Sequence, residues 1–509
     1  MDPRPRVDRR MRKLDAAQDR YGNFIGGEWI PPSTGNFAAN RNPADRDDVV
    51  GHFPVSGQKD AEDAVAAAKA AFPGWAGTPG PSRGRVLWKA VDLFRQRLDE
   101  IARTLCREEG KTLAEARGEV QKGINLFEFY AGEGFRIHGK TLPSEMKQTL
   151  TFTIRQPLGV VALVTPWNFP FAIPAWKSAP ALVTGNTVVL KPASNTPATA
   201  ALIAEVLEDA GLPKGVFNLV TGPGGAVGNT LVDHPEVKAV SFTGSNEIGL
   251  ALNQRCARRG IKVTCEMGGK NPVVVMDDAD LDLAVSGILG GAYGSTGQRC
   301  TATSRVILHR AIAGKVTERL VAGAKALKVG NGLEAGIDMG PAVDDGQLQT
   351  DLKYIEVAQS EGAKLLCGGQ RLTGGGFDKG FYVTPTVFGG VKPGMRIHQE
   401  EVFGPVIAVV EVGDFEEAVA AANGVEFGLT AALYTRDANL AMKFVERSEV
   451  GMVHINNPTV GGEAQLPFGG IKSTGVGERE MAEEGAAFFT HLKTVFFDYT
   501  GQARTSKIY

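Results

Sequence analysis

Apolar residues recur three and four positions apart through GRVLWKAVDLFRQRLDEIARTL, Gly84 to Leu105. That period predicts amphipathic helix, and residues 60–135 as a whole read as helical. The period then changes. Leu150, Phe152 and Ile154 alternate with Thr151, Thr153 and Arg155, which predicts a half-exposed strand broken at Gln156-Pro157. Gly159 to Val164 is continuously apolar and short, as a strand covered on both faces must be. From there the pattern alternates. NTVVLKP, GVFNLV, VKAVSFTG and IKVTCEMGG read as strands. TPATAALIAEVLEDAG, AVGNTLVDH and SNEIGLALNQRCARRG read as the helices between them. A run of βα units implies a mostly parallel sheet with helices on both faces, an α/β fold whose ligands lie past the carboxyl ends of the strands.

A second alternating region runs from about Ala279 to Gly469 and contains a glycine-rich surface loop, CGGQRLTGGGFDKG. The segment AAFFTHLKTVFFDYTG reads as strand. So apolar a strand needs a partner, either another segment or another subunit. No internal repeat is visible.

Composition removes several function classes. The 509 residues carry a formal net charge of −2, so no electrostatic footprint for nucleic acid or an anionic membrane exists. No apolar run approaches the ~20 residues that span a bilayer. The five cysteines, Cys106, Cys256, Cys265, Cys300 and Cys367, show neither a disulfide spacing nor a C-x-x-C metal pattern, so a reducing compartment, the cytoplasm, is expected and no metal. The N-terminal MDPRPRVDRRMRKLDAAQDR is basic, yet it has four aspartates and no apolar stretch, and reads as a flexible tail rather than a signal peptide.

Cys300 stands in GSTGQRCTATSR, a setting too polar for a core strand, and the adjacent Arg299 would favour its thiolate. The other four cysteines read as structural. A cysteine nucleophile ordinarily has a histidine beside it, but none of the seven histidines stands in a motif. Glu266 in CEMGGKNP, at a strand end and followed by glycines, is the better candidate base. Asn168 in TPWNFP follows another strand, where its amide can donate to an oxyanion. Three further strand ends carry ligand-like residues. KPAS (Lys191 to Ser194) suits a phosphorylated ribose, FTGS (Phe242 to Ser245) opens a helix whose N-terminus favours pyrophosphate, and TGPGGAVG places Gly222, Gly224 and Gly228 in a near-miss of the dinucleotide fingerprint.

Together TPWNFP, KPAS, FTGS, EMGGKNP, GQRC, EEVFGP and PFGGIKSTG resemble the aldehyde dehydrogenase superfamily, in order and spacing, over nearly the whole chain after Gly22. The resemblance implies Cys300 as nucleophile, Glu266 as general base, and an oxyanion hole from Asn168 and the Cys300 backbone N–H. It implies Trp167, Lys191, Ser194, Gly224, Gly244, Ser245, Met267, Glu401 and Phe403 along an NADP or NAD site, with Phe169, Trp176 and Arg299 on the substrate side. It also implies two Rossmann-like parallel-sheet domains plus a small oligomerisation β element: 20–148 with 159–276 for the dinucleotide, 277–484 for catalysis, 149–158 with 485–509 for assembly into a homodimer or homotetramer, and 1–19 as tail.

Family members that prefer NAD often carry a glutamate where Ser194 stands, so NADP is expected to be accepted. FPFAIPAWK, EMGGKNPVVV, STGQRCTATSR and VFFDYTG look most like the α-ketoglutaric semialdehyde (2,5-dioxovalerate) branch. Succinate-semialdehyde enzymes are similar in KPAS but tend to have an arginine in place of Trp176. Aromatic or aliphatic aldehydes remain alternatives, and so does a coenzyme A-acylating enzyme, against which a hydrolytic base such as Glu266 argues. A binding protein on the same fold, or a thiol hydrolase independent of nicotinamide, would be the readings from other classes.

Overall fold

The βα run builds one sheet in the computed structural model, which describes residues 12–15 and 17–503. Its strands lie in the order Glu28–Ile30, Asn23–Ile25, Phe217–Leu219, Thr187–Lys191, Val160–Val164, Val237–Thr243, Lys262–Glu266 and Gly475–Val476. The five from Phe217–Leu219 to Lys262–Glu266 are parallel, and antiparallel strands cap both ends. Val160 to Leu163 and Val188 to Leu190 are buried, as continuous apolar strands between two helix layers require.

A second sheet runs Lys364–Cys367, Thr386–Gly389, Val406–Val412, Thr303–His309, Asn271–Val275, Thr430–Tyr434 and Met452–Ile455. All its pairs are parallel except the first. Asn271–Val275 pairs with Thr303–His309 and Thr430–Tyr434, so the boundary expected after residue 276 falls earlier, within Met267–Lys270. Those four residues carry the chain from one sheet to the other. Gly475–Val476 returns from the second region to pair with Cys265 and Glu266, a second connection between the two layers.

The third sheet is small. Thr490–Asp498 pairs antiparallel with Thr149–Pro157 over its whole length, and Thr141–Leu142, expected in the first domain, adds a third strand. The terminal apolar stretch is therefore partnered within the chain. Its beginning is helix rather than strand, Ala482–Phe488. The strand also continues through Pro157 instead of breaking at Gln156, because Pro157 sits opposite Thr490 at the strand's end, where a missing N–H costs little. Thr151 and Thr153 are buried, whereas Leu150 and Ile154 on the opposite face are exposed, as are Leu142, Leu492, Phe496 and Phe497 elsewhere on the small sheet.

Residues 1–11 of the expected tail lie outside the described part of the chain. Arg12 is held against the first domain by Asp209, at 2.7 Å, and its backbone N–H reaches Glu205.

Candidate functional site

The turn before Cys300 is unusual in its backbone. Ser295, Thr296 and Gly297 all have positive φ, at 49°, 59° and 69°. Two of these are non-glycine residues in the left-handed region, which costs on the order of 1–3 kcal/mol each and persists only where the surroundings over-determine it. The surroundings here do. The Ser295 N–H donates to Glu115 Oε1 at 2.6 Å, the Thr296 hydroxyl to the Gly340 carbonyl at 3.1 Å, and Gln298 Oε1 accepts from the Val343 N–H at 2.9 Å. Downstream, Asn271 Nδ2 donates to the carbonyls of Cys300 and Ala302, both at 2.8 Å. A short loop fastened at both ends holds one sulfur in place.

Two cavities meet at that sulfur. The first, about 240 Å³, lies past the carboxyl ends of the first sheet. Its wall includes Trp167 and Asn168 after one strand, Gly244 and Ser245 after another, and Met267 after a third. Glu401 and Phe403 close it from the far side. Phe403 sits edge-on to Trp167, ring centres 5.5 Å apart. The second cavity, about 280 Å³, opens on the other side of Cys300 and is lined by Phe169, Trp176, Arg299, Lys122 and Phe468. Ile173 is common to both walls.

Asn168 is buried. Its Nδ2 donates to the Gln298 carbonyl at 3.0 Å, which orients the amide and leaves its second N–H available. Lys111 Nζ, buried with Glu119, donates to the Asn168 carbonyl at 2.8 Å and fixes the TPWNFP turn from behind.

Glu266 ends the strand Lys262–Glu266 and is buried, but its carboxylate lies outside both cavity walls. It is turned toward Gly469 and Gly475: a Cβ added to Gly469 would lie 2.6 Å from Oε1. Among the described residues Oε2 has no hydrogen-bond partner. Burial, and next the carboxylate of Glu480, push its pKa well above the usual carboxylate range, while Lys177 opposes them. Glu480 is itself tied to Lys177, to the Ser241 hydroxyl at 2.8 Å and to Trp176 Nε1 at 2.7 Å.

Cys300 is the one partly exposed cysteine; the other four are buried. All five are free thiols. Burial, followed by the carboxylates of Glu266 and Glu401, pushes its thiol up to about 12, with Lys122 pulling the other way. The cation expected to favour the thiolate was Arg299. Its Nη2 is instead paired with Glu115 Oε1, at 3.3 Å, and the Ser295 hydroxyl, at 2.9 Å, while its buried Nε has no partner among the described residues.

Alkylation by iodoacetamide should therefore modify Cys300 alone, and its rate should climb about tenfold per pH unit from pH 7 to 9, as the thiolate fraction does below the pKa. Peptide mapping by mass spectrometry reads this. A second cysteine labelled at the same rate, or a rate flat in pH, would contradict it.

The remaining expected cofactor residues stand apart from the first cavity, around the turn after Phe217–Leu219. Lys191 is buried, donates to the Pro192 carbonyl at 2.7 Å, and is lowered to about 8 by burial. The Ser194 hydroxyl donates to the Gly222 carbonyl at 3.3 Å. Gly224 opens a short π-helical turn, Gly224–Gly228, with free space where a side chain would stand.

A nicotinamide dinucleotide fits these features. The Thr243 hydroxyl, on the wall of the first cavity, is buried without a partner among the described residues. Glu401 Oε1 accepts the Gly269 N–H at 2.7 Å, and a Cβ on Gly268 would collide with this carboxylate. Thr243 lies within FTGS but has no role legible in the sequence, nor have Gln347, on the wall of the first cavity, and Lys122, on the wall of the second. The helix periodicity around residue 122 gives no sign that one of its polar positions faces a cavity.

The aldehyde dehydrogenase family pattern matches residues 29–495. An α-ketoglutaric semialdehyde dehydrogenase from Bacillus subtilis is 48% identical, over 94% of this chain and 98% of that protein. A 2,5-dioxopentanoate dehydrogenase from Saccharolobus solfataricus is 44% identical, over 93% and 98%. The solved structure of betaine aldehyde dehydrogenase from Staphylococcus aureus in complex with NAD+ superposes with a TM-score of 0.92 at 34% identity, covering 95% of each chain.

Proposed function

We propose, from the premise that this chain belongs to the aldehyde dehydrogenase family, that it oxidises α-ketoglutaric semialdehyde to 2-oxoglutarate, with water supplying the added oxygen and NAD(P)+ as the oxidant. It is an NAD(P)-dependent aldehyde dehydrogenase acting on a small-molecule aldehyde. The observation that carries the chemistry is that two cavities converge on one sulfur, one suited to a dinucleotide and one to an aldehyde. The relatives at 44–48% identity support the choice of aldehyde.

In this reading the Cys300 thiol gives its proton to solvent in the open cavity, and the Sγ thiolate attacks the aldehyde carbon. The free N–H of Asn168 and the Cys300 backbone N–H hold the resulting oxyanion. The bound nicotinamide supplies a hydride acceptor with a positively charged ring. Glu401 orients it through the ribose, Trp167 and Phe403 flank it, and Gly244, Ser245 and Met267 shape the path of the dinucleotide. Lys191, Ser194 and the backbone at Gly224 take its adenosine end. Loss of hydride from the thiohemiacetal leaves a thioester on Cys300. Glu266 swings from Gly469 toward it, takes a proton from water, and the hydroxide displaces the sulfur. A raised pKa suits that task, because a stronger base accepts the proton more readily.

Assays of α-ketoglutaric semialdehyde, succinic semialdehyde, benzaldehyde and pentanal with both nicotinamides test the substrate. The highest kcat/KM is expected for the first, and a preference for benzaldehyde or pentanal overturns the reading. Coenzyme A should not be needed for turnover.

Ser194 bears on the choice of nicotinamide. A carboxylate there would repel a 2′-phosphate and accept the hydroxyls of an unphosphorylated ribose. Ser194→Glu should lower the ratio of kcat/KM for NADP over NAD about tenfold or more, and a ratio that does not fall removes this residue from the adenosine site.

The small sheet supports assembly into a homodimer or homotetramer. Phe496 and Leu492 are 68% and 59% exposed on one of its faces in a single chain, and Phe497 and Leu150 are exposed on the other, apolar surface of a kind that oligomers cover. The five free thiols support a cytoplasmic location.

A further inference from the structure

The second cavity holds four charged groups on its wall, and its two carboxylates are already matched. Glu119 accepts Lys111 Nζ on one oxygen, at 2.6 Å, and the N–H of Phe171 on the other, at 2.9 Å. Glu115 accepts the Ser295 N–H and the Thr112 N–H on its two oxygens. Arg299 is paired with Glu115 through Nη2 and keeps a buried Nε without a partner among the described residues.

Lys122 is different. It rises from the helix Leu113–Glu133 at the spacing 115, 118, 119, 122 that puts one face of the helix on the cavity. Among the described residues its ammonium has no hydrogen-bond acceptor and no carboxylate within 4 Å. It lies over the ring of Trp176 at 5.4 Å and near that of Phe468 at 6.0 Å. A Cβ on Gly462 would stand 3.4 Å from Nζ, so the charge also faces the Val460 to Gly462 turn that forms the opposite rim. An ammonium beside a pair of packed aromatic rings, with all three protons unspent, is a ready partner for an anion.

The geometry points to Lys122 as the specificity residue that receives the carboxylate at the far end of the substrate, so that the cavity selects aldehydes ending in an acid. This rests on reading the second cavity as the aldehyde site. Arg299, also expected on the substrate side, is tied through Nη2 to Glu115 and to Ser295 in the loop of Cys300. A charge-assisted hydrogen bond in so enclosed a site should be felt as a 10- to 100-fold change in apparent affinity.

The test compares the full-length enzyme with Lys122→Met and Lys122→Arg, at saturating nicotinamide, on α-ketoglutaric semialdehyde, succinic semialdehyde and pentanal. For Lys122→Met the fall in kcat/KM on the acids should exceed the fall on pentanal at least tenfold and appear in KM. Lys122→Arg should restore most of it. Equal losses on acid and neutral aldehydes would overturn the proposal and leave Lys122 as a charge that tunes the thiol, which the pH profile of Cys300 alkylation would show as a slower rate in Lys122→Met. No loss on either would overturn it too. The wild-type profile answers separately: if wild type prefers pentanal to both acids, the substrate reading fails whatever the variants do.

Discussion

Glu266→Gln is expected to release one equivalent of reduced nicotinamide per active site in a rapid burst and then to turn over about 10³-fold more slowly than wild type, within the 10²–10⁴ that a positioned proton acceptor contributes. The amide keeps the shape of the side chain beside Gly469 and removes the only proton acceptor proposed for the hydrolytic water. Thioester formation does not use that acceptor, so the burst should survive. Stopped-flow absorbance separates the two phases. If burst and steady state fall together, Glu266 acts on the thiol of Cys300 rather than on water, and the assignment fails. The wild-type pH profile carries the same information. Burial and Glu480 raise the pKa of Glu266, so the base is protonated at low pH, and hydrolysis should grow with pH through that elevated value instead of levelling off near pH 5.

Asn168→Ala should cost about 10²–10³ in the burst rate, the usual effect of deleting one oxyanion donor, with much less change in KM. The argument is geometric. One N–H of the amide is committed to the Gln298 carbonyl and the other is not, on a residue whose cavity also holds Cys300. Asn168→Asp should be at least as damaging, because a carboxylate would repel the oxyanion. A KM-only effect in the alanine variant would make Asn168 a substrate-binding group and leave the oxyanion to the backbone alone. Circular dichroism should be unchanged, since the turn itself is held by Lys111 on the Asn168 carbonyl.

Much of the first sheet was readable from the chain because each of its parallel strands is a short apolar run bounded by a helix of clear period. The change of sheet at Met267–Lys270 was not. Nothing in CEMGGKNPVVV distinguishes a strand that joins the old sheet from one that starts a new one. Leu150 and Ile154 misled in another way. Alternation says that one face is covered, not by what, and here their face turns away from the single chain. Cys300, Glu266 and Asn168 could be proposed from residue type and strand-end position. Glu401, Phe403 and Met267 could be proposed only by resemblance, since an acid, an aromatic and a methionine have no distinctive spacing. Lys122 was hidden by its own helix, where a lysine usually reaches water. Only the folding of Trp176 and Phe468 around it makes it unlike the others.

The crossing between the two sheets bears on how the protein comes apart. Met267–Lys270 is four residues long and spans at most about 14 Å when fully extended. Gly475–Val476 crosses back and hydrogen-bonds beside the same point. With so little slack, neither layer can melt and leave the other intact, because losing one strips an edge partner and a floor from its neighbour. Heating should therefore show one cooperative calorimetric peak rather than two, and ligands seated on either side of the crossing should raise the temperature of the whole transition.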